Sequence, residues 1–428
     1  MKHQFIRMTL AVMLAGAITA RANAVLDWNT IAAQTILAGP HPGATIVLDF
    51  AVVQAAVHDA VQAYDKRFEA YATELEAAAG SPVAAVAKAA RDVLVNRFPA
   101  QADAVHLTYQ AYLAAHGLAE NDAGVAVGQA AAAGMIALRA NDGSFPNPPP
   151  PNFVGGNLPG MWRPTPPSFA PMSFPWLGEV TCFTLLSATQ FRADPPPALT
   201  SSRYRKEYNE VKALGSSNST VRTLEQTQLA RFWSDNFIAQ WNRALAGIAD
   251  AYLDDMGETA RLLALAWLAT ADSFITTWET KKHYNFWRPV TAIREGDNDG
   301  NRKTIGDVNW QPLNNTPNYP DQSSGANAIT GSMTRMLRLF FGTDGVTFTV
   351  TSDNPLAIPN RRTYKKFSHA ANEVVEARVY QGIHFRFADT DGRKLGRQVA
   401  DWVFENALRQ LDGEDRNHGH HDDDEADN

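Results

Sequence analysis

The sequence predicts an all-α protein, and three observations carry that prediction. Ala- and Leu-rich segments with apolar residues three to four apart recur along most of the chain. Runs of β-branched residues long enough for strands are scarce. Helix punctuation stands where the periodic segments begin and end: Thr223 with Gln226 forms a capping-box pattern, and Gly342 sits at a C-terminal stop. With 428 residues, 45% of them hydrophobic and 19% charged, the chain can bury a large core in one large domain or two smaller ones.

Residues 1–24 read as an export signal. Lys2 and Arg7 precede the apolar stretch 8–20, and Ala22-Asn23-Ala24 offers a small-residue cleavage site. That stretch is shorter than the roughly 20 residues a membrane span needs. The expectation is an exported protein, periplasmic or extracellular, with no membrane span in the mature chain; Leu262–Ala269 is the nearest later approach to one. The net charge of −7 becomes −10 on cleavage, with −7 of it in the acidic tail 412–428, which is expected to be disordered. No basic excess remains for nucleic acid. The single cysteine, Cys182, excludes an internal disulfide framework and a zinc ribbon.

Helices are expected near 47–64, 82–98, 101–117 and 122–140, and again near 202–214, 223–254, 258–286, 324–341, 361–379 and 392–411. Between the two groups lies the Pro-rich stretch 143–200. Trp162, Phe169, Phe174, Trp176 and Phe183 make it an ordered crossing that packs on helices, since a flexible linker does not carry such aromatics. The expected organisation is an N-terminal helical region over 25–200, which includes the crossing, and a C-terminal helical bundle over 201–411.

Dinucleotide-binding, Walker, HExxH and G-x-S-x-G patterns are missing. Three other blocks carry groups suited to an oxyanion. In Lys281-Lys-His-Tyr-Asn-Phe-Trp-Arg288-Pro289, the two cations are seven apart, two helical turns, and are expected on one face with Pro289 at the helix end. The interleaved aromatics imply partial burial and a need for an anion. In Tyr319-Pro-Asp-Gln-Ser-Ser324-Gly325-Ala326-Asn327, Ser324 and Gly325 open an amphipathic helix, whose N-terminal N–H groups favour anions. In Arg378-Val-Tyr-Gln-Gly382-Ile-His384, Gly382 supplies a break that can turn His384 back toward Arg378. Elsewhere, His58-Asp59 on an apolar helix reads as a hydrogen-bonded core pair, and Asp297–Asn301 as a polar turn.

Together the blocks resemble the vanadium-dependent haloperoxidase and type 2 phosphatidic-acid phosphatase superfamily, whose signature is K-x6-R-P, then P-S-G-H, then S-R-x5-H. Lys281 and Arg288-Pro289 match the first part. Ser324-Gly325 match the middle of the second, with Ser323 in the proline place and Ala326 in the histidine place. Arg378 and His384 match the third, with Ala377 in the serine place. The flanks Trp287–Arg294, Gly382–Phe387 and Trp162–Phe169 look like its secreted bacterial haloperoxidase-like branch.

The resemblance implies two helical bundles and an oxyanion, vanadate or the competing phosphate, held by Lys281, Arg288, Arg378, Ser324 and the Gly325 N–H. It implies that His384 is the vanadium ligand in a peroxidase or the nucleophile in a phosphatase. One implied function is oxidation of halide by hydrogen peroxide, with Tyr319 shaping the halide position. The others are phosphate-ester hydrolysis through a phosphohistidine, and oxyanion binding without turnover. Ala326 cannot transfer the proton that the family's histidine transfers; His283, Asp321 and Asn327 lie near in sequence as auxiliary groups.

Overall fold

Thirteen α-helices and one short antiparallel hairpin form the regular structure among residues 23–411, the part of the chain described by this computed structural model. The first group is α1 (Ala24–Ala38), α2 (Ile46–Asp65), α3 (Pro82–Arg97), α4 (Ala102–Ala115) and α5 (Ala123–Arg139). After the crossing come α6 (Ser202–Leu214), α7 (Leu224–Phe232), α8 (Phe237–Tyr252), α9 (Met256–Tyr284), α10 (Pro289–Arg294) and α11 (Gly325–Phe341). The hairpin β1 (Phe348–Thr351) and β2 (Arg361–Tyr364), then α12 (Phe367–Gln381) and α13 (Arg386–Asn406), complete the order. The expected acidic tail and most of the expected export signal lie outside the described residues. The signal's last two residues lie inside: Asn23 caps α1 through Val25 N and bonds Thr259 Oγ1 at 2.9 Å, and Ala24 is buried.

Helix α9 is the pillar of the fold. Every residue from Leu262 to Trp278 is buried, because α2 packs on one side of it and α11 and α13 on the other. A helix apolar all round is stable only when surrounded in this way. One continuous core therefore runs from Ala24 to Leu408. The described helix that is long and apolar enough to cross a membrane is Gly43–Asp65, not the Leu262–Ala269 run, and 94% of its apolar window is buried inside the protein.

Residues 143–200 run along this core and anchor to it at scattered side chains. Trp162 is fully buried, and Leu177 and Phe183 join the central cluster. Buried Asp272 of α9 clamps the crossing by accepting from Phe183 N (2.6 Å), Thr184 N (2.7 Å), Thr184 Oγ1 (2.6 Å) and Leu185 N (3.1 Å). His58 and Asp59 are core residues, as read: His58 Nε2 lies 3.0 Å from Glu69 O, and Asp59 accepts from Tyr71, Ala72 and Thr73 N–H groups. In the polar turn, Asp299 accepts from Asn301 N and Thr304 Oγ1, and Asp297 from Gly306 N.

Three expectations need correction. The 223–254 segment is two helices: the Thr223 capping box holds, but the polar run Ser234-Asp235-Asn236 breaks the ladder and Asn236 caps α8 through Ala239 N. The 361–379 segment opens with a strand, where Thr363 and Tyr364 pair with Thr349 and Phe348. The helices α1 and α10 and the hairpin were not anticipated.

Candidate oxyanion site

The three blocks meet, though not by the route their spacing suggests. Lys281 and Arg288 do not share a helix face. Asn285 adopts the left-handed conformation (φ 47°) and ends α9 at Tyr284. Pro289 forces Arg288 into an extended conformation (φ −85°, ψ 157°) and opens α10 instead of closing α9. The crossing places the linking loop: Trp162 N donates to Asn285 O (2.7 Å) and Trp287 N to Gly160 O (3.0 Å). On its other side Asp321 N donates to Phe286 O at 2.9 Å. Gly155 permits this pairing, because a Cβ there would sit 1.9 Å from Trp162 O.

Arg288 is buried and heavily bonded. Its Nε donates to Tyr319 O (2.7 Å) and its Nη1 to Ile383 O (2.6 Å), while Nη1 lies 3.2–3.3 Å from both His384 ring nitrogens. Lys281 Nζ, fully buried, donates to Pro320 O (2.8 Å) and Asp321 O (3.1 Å). The Tyr319 ring lies 4.9 Å from Lys281 Nζ and from Arg288 Cζ. Arg378 stands in the last turn of α12, with Nη1 on Gln381 Oε1 at 2.8 Å. Gly382 then takes φ 76° and ends the helix, which turns His384 back into the cluster as read.

Ser324 is the N-cap of α11, yet its side chain makes no cap bond. Its N–H donates to Ala388 O (2.8 Å), and Asn327 Nδ2 approaches its Oγ at 3.4 Å. A Cβ at Gly392 of α13 would lie 2.4 Å from Ser324 O, so α13 seats directly on this helix start. Gly325 and Asn327 are buried beside it, and Asn327 Nδ2 donates to Asp389 Oδ1 at 2.8 Å. From residue 320 to 334 the segment is buried except at Ala326. Tyr319, Ala326 and Arg378 retain partial exposure and mark where solvent approaches the cluster.

His283 is the one sequence candidate that the structure removes from the site. Two residues beyond Lys281 on a helix, it points away from the cluster, and it is exposed beside Lys282 and Glu279. Two groups were missed. Asp389 is buried in the first turn of α13, and its signal is an acid directly after Phe387-Ala388, behind the matched His384. Gln381, buried in the last turn of α12, holds Arg378.

The electrostatics are those of a cation cluster. Burial lowers the Lys281, Arg288 and Arg378 pKa values, and for Lys281 the Arg288 charge adds to the effect. Burial, then the same three cations, holds His384 well below its usual value, so its imidazole is neutral. Burial pushes Asp321 up to about 7 and Asp389 well above the carboxylate range, against the pull of the cations.

Three basic groups thus outnumber two acids that resist ionising. Arg288 Nη2, Arg378 Nε and Ser323 Oγ are buried without partners among the described residues. Unpaired buried donors of one sign are costly unless an anion joins them. The donor set therefore fits a tetrahedral oxyanion, and a neutral imidazole is the form that ligates a metal.

Residues 261–413 match the family model described as the VCPO second helical-bundle domain. The vanadium chloroperoxidase of Curvularia inaequalis is 28% identical over 200 residues, 39% of this chain; the match covers only 32% of that relative's length. Among solved structures, the first bacterial vanadium-dependent iodoperoxidase aligns with a TM-score of 0.76 and 24% identity, over 92% of this chain and 97% of that one. The holo form of a bacterial vanadium-dependent chloroperoxidase aligns at 0.70 and 18%, over 88% and 95%. At these identities the structures establish the fold. The shared fold over most of the chain, the matching second bundle and the three ordered blocks together support the assignment of this chain to the vanadium-dependent haloperoxidase and type 2 phosphatidic-acid phosphatase superfamily that the blocks resemble.

Proposed function

We propose that this chain is an exported, vanadate-dependent haloperoxidase-like oxidoreductase that uses hydrogen peroxide to oxidise halide. The observation that carries the reading is the meeting of Lys281, Arg288 and Arg378 around a neutral His384. Vanadate would be held by those three cations, Ser324 and the Gly325 N–H, with His384 as its metal ligand; phosphate, of like shape and charge, competes. When bound, the metal supplies a Lewis acid that activates peroxide without changing its own oxidation state. Export rests on Lys2, Arg7, the apolar stretch after them and the Ala22–Ala24 site.

The chain's own residues supply the rest. Burial excludes bulk water and strengthens the cationic field where negative charge develops. Asp321, 2.7 Å from His384 Nδ1, orients the imidazole so that Nε2, which faces Arg288 Nη1 at 3.2 Å, is the nitrogen left to meet the metal. With alanine at 326, proton handling passes to Asp389. Burial pushes its carboxyl well above the carboxylate range and so favours the protonated form, Asn327 fixes its Oδ1, Ser324 lies within reach of the carboxyl, and Oδ2 carries no hydrogen bond of normal geometry among the described residues. A proton held at Oδ2 is one the pocket can use. Tyr319 and Trp278, with ring centroids 5.0 Å apart, wall the approach to the cations and shape the halide position.

A second reading, oxyanion binding without turnover, draws on Ala326 itself, since general acid–base help contributes about 10²–10⁴-fold. One experiment separates the readings. Vanadate-loaded protein is assayed for peroxide-dependent bromination, and metal-free protein for phosphate-ester hydrolysis, each beside His384→Ala. Bromination that disappears in His384→Ala supports the peroxidase. Hydrolysis alone supports the phosphatase, and vanadate binding with neither activity supports the non-catalytic reading.

A further inference from the structure

On another face of the second bundle, α11 and α13 bring four arginines around one cavity of about 430 Å³. Arg335 and Arg338 are three apart on α11, and Arg393 and Arg397 four apart on α13, so each pair shares a helix face. The two pairs are drawn together by glycines at the helix contact. A Cβ at Gly331 would lie 2.4 Å from Arg393 O, and one at Gly396 would lie 2.1 Å from Ala328 O. Thr334 of α11, Asp344 of the loop after it, and Ser368, Ala371 and Asn372 at the start of α12 complete the wall.

The counter-charges do not balance this cavity. Arg335 pairs with Asp401 at 2.5 Å. Asp344 faces the cavity, but Ser368 occupies both its oxygens, with N at 2.9 Å and Oγ at 2.6 Å. Arg393 bonds the neutral amide oxygen of Asn372. Arg338 and Arg397 are exposed and have no ion-pair partner among the described residues. Burial, then the neighbouring Arg397, lowers the pKa of Arg393. A concave cluster with a net positive charge is unfavourable to hold and focuses its field on any anion that enters. The chain as a whole carries −7, so the cluster is not a by-product of basic composition.

We propose that this cavity is a second anion site, separate from the Lys281–His384 cluster, that takes a small ligand bearing two phosphate-type groups. The guanidinium fork fits a tetrahedral oxyanion through paired N–H donors. Two arginine pairs, one on each helix, match two such groups better than one. The cavity volume admits a ligand of pyrophosphate size with room for part of an organic substituent.

The test is calorimetric titration of the full chain with pyrophosphate at low ionic strength, with orthophosphate in parallel; heat that disappears in Arg378→Ala belongs to the Lys281–His384 cluster and is subtracted from both. The variant is Arg338→Ser combined with Arg397→Ser; both positions are exposed, so the fold is not at stake. The expected result is saturable one-to-one binding of pyrophosphate that weakens at least tenfold in the double variant and weakens as salt is raised. Orthophosphate is expected to bind this site at least tenfold more weakly. Equal pyrophosphate affinity in wild type and double variant, no saturable binding, or orthophosphate binding as tightly as pyrophosphate would each overturn the proposal.

Discussion

His384 Nδ1 lies 2.7 Å from Asp321 Oδ1, and both side chains are buried. Two residues from separate blocks thus form one unit, in which the carboxyl selects which imidazole nitrogen faces the cluster. Asp321→Asn keeps the volume but changes the partner offered to Nδ1. Outer partners of metal-bound histidines are typically worth 10–100-fold in affinity or activity. Orthovanadate affinity in Asp321→Asn is expected to fall by about that factor, with the far-UV circular dichroism unchanged. An affinity equal to wild type would show that His384 is oriented by other contacts.

Asp389 is assigned the proton that Ala326 cannot carry. Asp389→Asn preserves the bond partner for Asn327 and removes the acid. Bromination by the vanadate-loaded variant is expected to drop by about 10²–10⁴-fold, as for loss of a general acid–base group, with vanadate affinity retained. Ala326→His in that background should recover part of the loss. Full activity in Asp389→Asn would assign the proton elsewhere.

Gly392 separates local propensity from packing. In a helix interior, Gly→Ala stabilises by about 1 kcal/mol on propensity alone. Here the added methyl meets Ser324 O at 2.4 Å, within the start of α11. Overpacking of this kind costs about 1–3 kcal/mol. Gly392→Ala is therefore expected to lower stability in urea unfolding and to weaken oxyanion binding through the displaced Ser324. A stabilised variant would mean that α13 can move away from Ser324 without cost.

His58 gives a pH signature away from the site. Burial lowers its pKa to about 4, so the folded protein holds it neutral. Its folded value is depressed, so below the ordinary histidine range the unfolded state binds the extra proton. Stability is lost as pH falls from about 6.5 toward 4. Asp59, pushed up to about 6, has the opposite slope, so the comparison is made against His58→Asn. Between pH 7 and 5 the wild type should lose about 2 kcal/mol more than His58→Asn in urea unfolding. Parallel pH profiles would show that His58 charges without penalty in the fold.

The sequence was most readable where chemistry is local. The periodic segments gave the principal helices, Thr223 and Gln226 gave their capping box, and Gly382 gave the turn that returns His384. The three blocks named the residues that converge. The geometry of convergence was not legible, because distant backbone decides it. Lys281 and Arg288 meet through the pairing of residues 160–162 with 285–287, which no local spacing encodes. Asp389 escaped notice because an acid in a helical first turn usually reads as a solvated dipole partner. Only the packing of α13 on Ser324 buries it. His283 failed for the converse reason: nearness in sequence on a helix does not mean a shared face.

Orthovanadate binding to the wild-type chain and to Arg378→Ala and His384→Ala, by equilibrium titration with phosphate as competitor, tests the convergence most directly. One saturable site per chain is expected, displaced by phosphate, with affinity reduced at least tenfold in both variants. Wild-type affinity in either one, or no saturable binding at all, would mean that the groups clustered around Tyr319 do not constitute an oxyanion site.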